Sequence, residues 1–155
     1  MFFGLVKGES RPKRLMKAVH SVLVVEDEPL VAFDNEHILE QASYRVAATV
    51  DDYDHAVSVM EEEAIDLVIA DIRLHGDKTG IDVARHAHGR GVPVLFVSGA
   101  CPVDAPEMAL GCLAKPYLPR ELVAAIEVVE AMLLGKEPPR FPTGLHLFDW
   151  DGAGR

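Results

Sequence analysis

Four segments of the chain place chemistry-bearing residues directly after short apolar runs. Glu26-Asp27-Glu28 follows Val22–Val25, Asp71 follows Leu67–Ala70, Ser98 follows Val94–Val97, and Lys115 follows Cys112–Ala114. If those runs are neighbouring strands of one parallel sheet, carboxylates, a hydroxyl and an ammonium converge on a single edge. Two carboxylates ~5 Å apart repel by about 3 kcal/mol at an effective dielectric of about 20. A cluster of them therefore needs a cation, or one member must keep its proton. Oxygen donors with no His or Cys among them select a hard ion, Mg²⁺ above all, which leaves room for phosphate oxygens. The chemistry this favours is phosphoryl transfer to a carboxylate, forming an acyl phosphate. Asp71 is then the nucleophile, because its strand is flanked by the other two sets. Asp27 is the direct metal ligand, and Glu26 binds the ion directly or through water. Lys115 and the Ser98 hydroxyl take the remaining phosphoryl oxygens.

The elements that must position these residues alternate between strand-like and helix-like patterns. Val22–Val25 reads as a strand buried on both faces. Leu30–Gln41 puts Val31, Ile38, Leu39 and Ala42 on one helical stripe, with Pro29 tolerated in the first turn. Tyr44–Val50 is a second strand, and Asp51 or Asp52 caps a helix to about Glu63 that buries Ala56, Val59 and Met60. Leu67–Ala70 is the third strand, followed by a helix near Ile81–His88. Val94–Val97 and Cys112–Ala114 are the fourth and fifth. Pro119–Leu134 is the last helix, with Leu122, Ile126, Val129 and Leu133 on one face. Short buried strands joined by helical crossovers predict an α/β fold, a five-stranded parallel sheet with helices on both faces.

Composition narrows the function classes. The 155 residues, 49% hydrophobic and 26% charged, suit one domain with a core and exclude a wholly disordered chain. No apolar run approaches ~18 residues, which argues against a membrane helix. Residues 1–17 carry a net charge of +4 and read as a flexible basic leader, within which Met16 is a second candidate start. The remainder carries −14, so phosphate backbones are repelled and nucleic acid is not an expected partner. Residues 18–134 form the domain, and 135–155 read as an extended Pro/Gly-rich tail with a sticky segment, Leu145–Trp150. Phe148 and Trp150 are expected to fold back on the domain. Cys101 and Cys112 are too few for a disulfide scaffold or a four-cysteine zinc site and read as reduced small hydrophobes. The histidines read as solvent-facing.

Val24-Val25-Glu26-Asp27-Glu28-Pro29, Asp71, Ser98 and Lys115-Pro116, in that order and each at a strand end, resemble the receiver domain of two-component response regulators. The resemblance covers about residues 20–134. It implies a flavodoxin-like (βα)₅ fold and Mg²⁺ held by Glu26, Asp27, Asp71 and the Arg73 backbone carbonyl. Asp71 becomes the phosphoacceptor, Ser98 the switch hydroxyl and Lys115 the phosphate-binding lysine, with a cis bond at Pro116. Two departures matter. Cys112 stands where receivers carry a switch aromatic, and the stretch from Ser98 to Lys115 is short and holds Pro102 and Pro106, predicting a shortened or irregular fourth helix. Pro93-Val94-Leu95-Phe96-Val97-Ser98-Gly99-Ala100 resembles the PFxFATGY segment of a receiver subfamily that shares both departures. Gly99–Leu110 is therefore expected to reorganise on phosphorylation. With Arg73 and Ala100 flanking the path of attacking water, slow hydrolysis is expected.

The expectation is a cytoplasmic single-domain response regulator, not an enzyme beyond its own phosphorylation and dephosphorylation. A sensor histidine kinase or phosphotransfer protein would supply the phosphoryl group, and output would run through protein–protein contacts with an unknown partner. A homodimer through the first or last helix stays open. The rival within the fold is a phosphate sink or relay intermediate. The rival from another class is a Mg²⁺-dependent aspartate-nucleophile phosphatase, which needs a second Asp two positions after the nucleophile. Pro29 and Arg73 stand at those positions instead. A nucleotide-binding fold fails because the first turn is acidic rather than glycine-rich.

Overall fold

The computed structural model describes residues 17–102 and 108–148. The leader up to Met16, Pro106 and Trp150 lie outside them. Elements run β1 (Ser21–Val25), α1 (Pro29–Gln41), β2 (Arg45–Val50), α2 (Tyr53–Glu62), β3 (Leu67–Ala70), α3 (Gly80–Gly89), β4 (Val94–Ser98), β5 (Gly111–Ala114), α4 (Pro119–Leu134) and β6 (Leu145–Leu147). The sheet order is β2-β1-β3-β4-β5-β6. β1 to β5 are parallel, and β6 pairs antiparallel with β5.

Central strands with no polar position can only be buried on both sides, and the packing bears this out. Leu67 and Ile69 face one layer, with Val22, Val24, Leu95 and Leu113, against Leu39 of α1 and Leu122, Ile126 and Val129 of α4. Val68 and Ala70 face the other, with Leu23, Val25 and Phe96, against Ala56 and Met60 of α2 and Val83, Ala84 and Ala87 of α3. The helices begin where local chemistry starts them. Asp52 caps α2 by accepting the His55 N–H at 2.9 Å. Thr79 and Asp82 close a capping box on α3. Pro residues open α1 and α4, and Glu121 accepts the Leu118 N–H at 2.7 Å.

Three features differ from the sequence expectation. The sheet has six strands rather than five, because residues 145–147, within the presumed extended tail, pair with β5. Gly111 permits it: a Cβ there would run into the His146 carbonyl, so only glycine lets the two backbones close. Phe148 does fold back, donating its N–H to Leu110 at 2.8 Å. Second, the cysteines are not reduced. Cys101 and Cys112 form a disulfide with their Cα atoms 5.8 Å apart, because pairing of Cys112 with Phe96 brings β5 under the residues that follow Ser98. Third, α1 turns Ala32, Asn35 and Leu39 fully inward, leaving Val31 and Ile38 half-buried. Between β4 and β5 the described residues contain no helix, as the short proline-bearing stretch requires.

One buried carboxylate ties the ends together. Glu130 on α4 accepts the Tyr44 hydroxyl at 2.8 Å and the backbone N–H groups of Ala18 and Val19 at 3.0 Å each. Replacing it with leucine would strand those buried donors. Glu130→Leu is expected to lose on the order of 3 kcal/mol of stability in urea unfolding, and Tyr44→Phe about 1 kcal/mol.

Candidate functional site

The site is built by the backbone ladder running past the strand ends. Asp71 N–H donates to the Val25 carbonyl at 2.9 Å, which sets Asp71 beside Glu26 at the end of β1. Lys115 N–H donates to the Ser98 carbonyl at 2.8 Å, which joins the ends of β5 and β4. The Lys115 side chain then crosses back to the acids. Its Nζ lies 2.9 Å from Glu26 Oε1, 2.9 Å from Asp71 Oδ2 and 3.5 Å from Glu28 Oε1.

Glu26, Asp27 and Asp71 each offer a carboxylate oxygen within 4.8 Å of the others. With Glu28 also beside Lys115, four carboxylates face one ammonium, an excess of negative charge that a divalent cation would offset, and an all-oxygen donor set suits a hard ion. Burial raises the Glu26 carboxyl above its ordinary value, against the opposing pull of Lys115 and the Glu28 N–H. Burial alone would lower the Lys115 ammonium, but its bonds to Asp71 and Glu26 outweigh it and hold Lys115 well above its ordinary value. Lys115 is therefore a permanent cation, held between two acids. Asp71 Oδ1 accepts the Arg73 N–H at 3.2 Å, and the Arg73 side chain points to solvent. Ser98, buried at the end of β4, accepts the Ala100 N–H on its hydroxyl oxygen at 3.2 Å. The peptide bond from Lys115 to Pro116 is cis.

Of the residues expected from the sequence, Glu26, Asp27, Asp71 and Lys115 come together directly, and Ser98 joins through the Lys115 backbone. Others were missed. Gly80 opens α3 directly against the chain leaving β3: its N–H donates to the Ile72 carbonyl at 2.7 Å, and a Cβ would collide with the Asp71 carbonyl oxygen. The signal was available, since a glycine at a helix start after a polar loop marks close backbone approach. His75 Nε2 stands 3.5 Å from Asp27 Oδ2, and nothing in the spacing announces it. A groove of about 640 Å³ runs between α1 and the turn after β5, lined by Val31, Asn35, Ile38, Pro116, Tyr117 and Pro119. In its wall the Tyr117 hydroxyl donates to Asn35 Oδ1 at 2.7 Å, and burial pushes Tyr117 up to about 12. On α1, which forms one wall of the groove, Leu30 and Phe33 are 81% and 67% exposed, large apolar groups left in water. At the end of β2 lies a second acidic group, Asp51, Asp52 and His55; its Asp52–His55 contact of 2.7 Å belongs to the α2 cap.

The family described as response regulator receiver domain matches residues 22–127 of the chain. The chain belongs to that family. The transcriptional regulatory protein PdtaR of Mycobacterium tuberculosis is 31% identical over 113 residues, covering 69% of this chain and 55% of that protein. The phyllosphere-induced regulator PhyR of Methylorubrum extorquens is 32% identical over 112 residues, covering 68% of this chain and 41% of that protein. The receiver thus spans about half the length of these curated relatives. Among solved structures, the receiver domain of a modulated diguanylate cyclase from Desulfovibrio desulfuricans superposes with a TM-score of 0.64 at 28% identity, covering 74% of this chain and 95% of that one. A receiver protein from Sinorhizobium medicae gives 0.63 at 26% identity, covering 72% and 94%. The fold is thus the flavodoxin-like receiver fold, extended by β6. Among the described residues no helix is long and apolar enough to cross a membrane.

Gly80 supplies the test of how Asp71 is seated. Gly80→Ala is expected to lower stability by roughly 1–3 kcal/mol in chemical denaturation, because the Asp71 backbone must shift to admit the methyl group. Gly89→Ala, which faces open space, is expected to change stability by less than about 0.5 kcal/mol.

Proposed function

We propose that this receiver accepts a phosphoryl group on Asp71 from a histidine kinase or phosphotransfer protein in the cytoplasm and signals through protein contacts. The observation that carries this is the Lys115 ammonium at 2.9 Å from both Glu26 and Asp71, with Asp27 completing the acidic mouth. Glu26, Asp27 and Asp71, with the Arg73 backbone carbonyl, would hold Mg²⁺. When bound, that ion neutralises phosphoryl oxygens.

Between Glu26 and Asp71 the nucleophile is Asp71, because the Glu26 side chain is fully enclosed whereas that of Asp71 is 10% exposed. Asp71 keeps one oxygen on the Arg73 N–H and presents the other to Lys115 at the open end of the sheet. As an Asp71 oxygen bonds phosphorus and the P–N bond of the donor imidazole breaks, Lys115 passes its hydrogen bond from the carboxylate to a phosphoryl oxygen. The Ser98 hydroxyl, already accepting from Ala100, still has its proton to donate to a second oxygen. The receiver thus catalyses only its own modification. Leu30 and Phe33, exposed on α1, and the groove between α1 and Lys115 would give a protein donor an apolar docking surface.

Incubation with Mg²⁺ and acetyl phosphate, followed by intact-mass measurement, is expected to yield one phosphoryl adduct. Asp71→Asn should abolish it, and Lys115→Ala should slow it on the order of 100-fold. An adduct that persists in Asp71→Asn would overturn the assignment. Phe33→Glu should slow transfer from a phosphorylated histidine kinase at least tenfold while leaving the acetyl phosphate reaction unchanged. Equal loss with both donors would refute the docking surface.

A further inference from the structure

We propose that the Cys101–Cys112 disulfide is a redox-modification site that sets how fast Asp71 accepts phosphoryl groups, an inference that rests on the phosphoacceptor reading above. Its place in the fold is the argument. Cys101 is three residues beyond Ser98, and Cys112 is three residues before Lys115. The bond therefore cross-links the two chain segments that carry the hydroxyl and the ammonium of the site. Those segments are also joined by the Lys115 N–H to Ser98 carbonyl bond at 2.8 Å and by the pairing of Ser98 with Ala114. With the disulfide closed, Ala100, whose N–H donates to the Ser98 hydroxyl oxygen, is held one residue from a covalent anchor. Ser98 and Lys115 then keep a fixed mutual geometry, the pre-organisation that phosphoryl acceptance needs. Opening the bond frees the chain after Ser98 and loosens that geometry.

The two sulfurs are unequal in access. Cys112 is fully buried in the cluster that also holds Phe96 and Phe148, whereas Cys101 is half-buried. A thiolate from a dithiol reductant can reach the Cys101 sulfur. Its attack forms a mixed disulfide and breaks the intramolecular S–S bond, expelling the Cys112 thiolate. The second thiol of the reductant then displaces Cys101. Two electrons and two protons pass to the cysteine pair, and the reductant leaves as its own disulfide. In the cytoplasmic setting proposed above, a disulfide is seldom a static staple and is more often a redox-responsive one.

The test compares oxidised and reduced protein. The 155-residue chain is treated with or without dithiothreitol under native conditions; one aliquot is labelled with a maleimide to count its thiols, and in the unlabelled remainder the rate of adduct formation with Mg²⁺ and acetyl phosphate is followed by intact mass. The expected result is a rate at least threefold lower after reduction, restored on reoxidation. The double variant Cys101→Ser/Cys112→Ser should run at the reduced rate and ignore dithiothreitol. A disulfide that opens without changing the rate overturns the coupling alone, and so does a pair that stays unlabelled in native protein. Absence of an adduct in both redox states overturns the phosphoacceptor reading, and the coupling with it.

Discussion

Carboxylates brought within hydrogen-bonding distance of one amine, at the edge of a sheet with an apolar interior, are the constraint from which the rest of this structure follows. Charges at that spacing are tolerable only if a cation is fixed among them, and a cation can be fixed only if its own strand is in register with theirs. The register is supplied by β3 continuing its ladder onto β1 at Asp71 and by β5 continuing onto β4 at Lys115. Lys115 then spans the gap left by β4. The buried faces of the strands have the same function at one remove. With Leu67 and Ile69 packed on one helical layer and Val68 and Ala70 on the other, a slip in register would exchange the two rows and misfit both layers.

The periphery reinforces this arrangement at points where a side chain would intrude. Gly80 lets α3 begin against the Asp71 backbone, and Gly111 lets β6 close on β5. Glu130 does the opposite, using a buried charge where the chain entering β1 must be held against α4. Its carboxylate answers a hydroxyl and two backbone donors at once, which makes burial of the charge tolerable.

How far the sequence revealed this depended on the range of the interactions. The strand ends were legible because each buried strand is an uninterrupted apolar run and stops at a polar residue: Glu26, Asp71, Ser98 and Lys115. The α2 cap was legible because Asp52 acts only three residues away. β6 was not, because Leu145-His146-Leu147 is three residues long and its pairing depends on Gly111, far away in the chain. The disulfide was missed for a related reason. Cysteine spacing says nothing until the β4–β5 pairing brings Cys112 beneath Cys101, and composition alone favoured free thiols. His75 approaches Asp27 only through the path of the loop after β3. On α1 the apolar period placed Leu39 correctly but gave no hint that Asn35 would turn inward to meet Tyr117.

The antiparallel direction of β6 has a geometric outcome. Gly144 lies beside Ala114, near the carboxyl ends of the parallel strands, and Phe148 lies beside Leu110, at their amino ends. In a few residues the main chain has been carried roughly 13 Å down the flank of the barrier between the two poles of the sheet. Phe148, the last described residue, therefore stands at the pole of the sheet opposite Asp71.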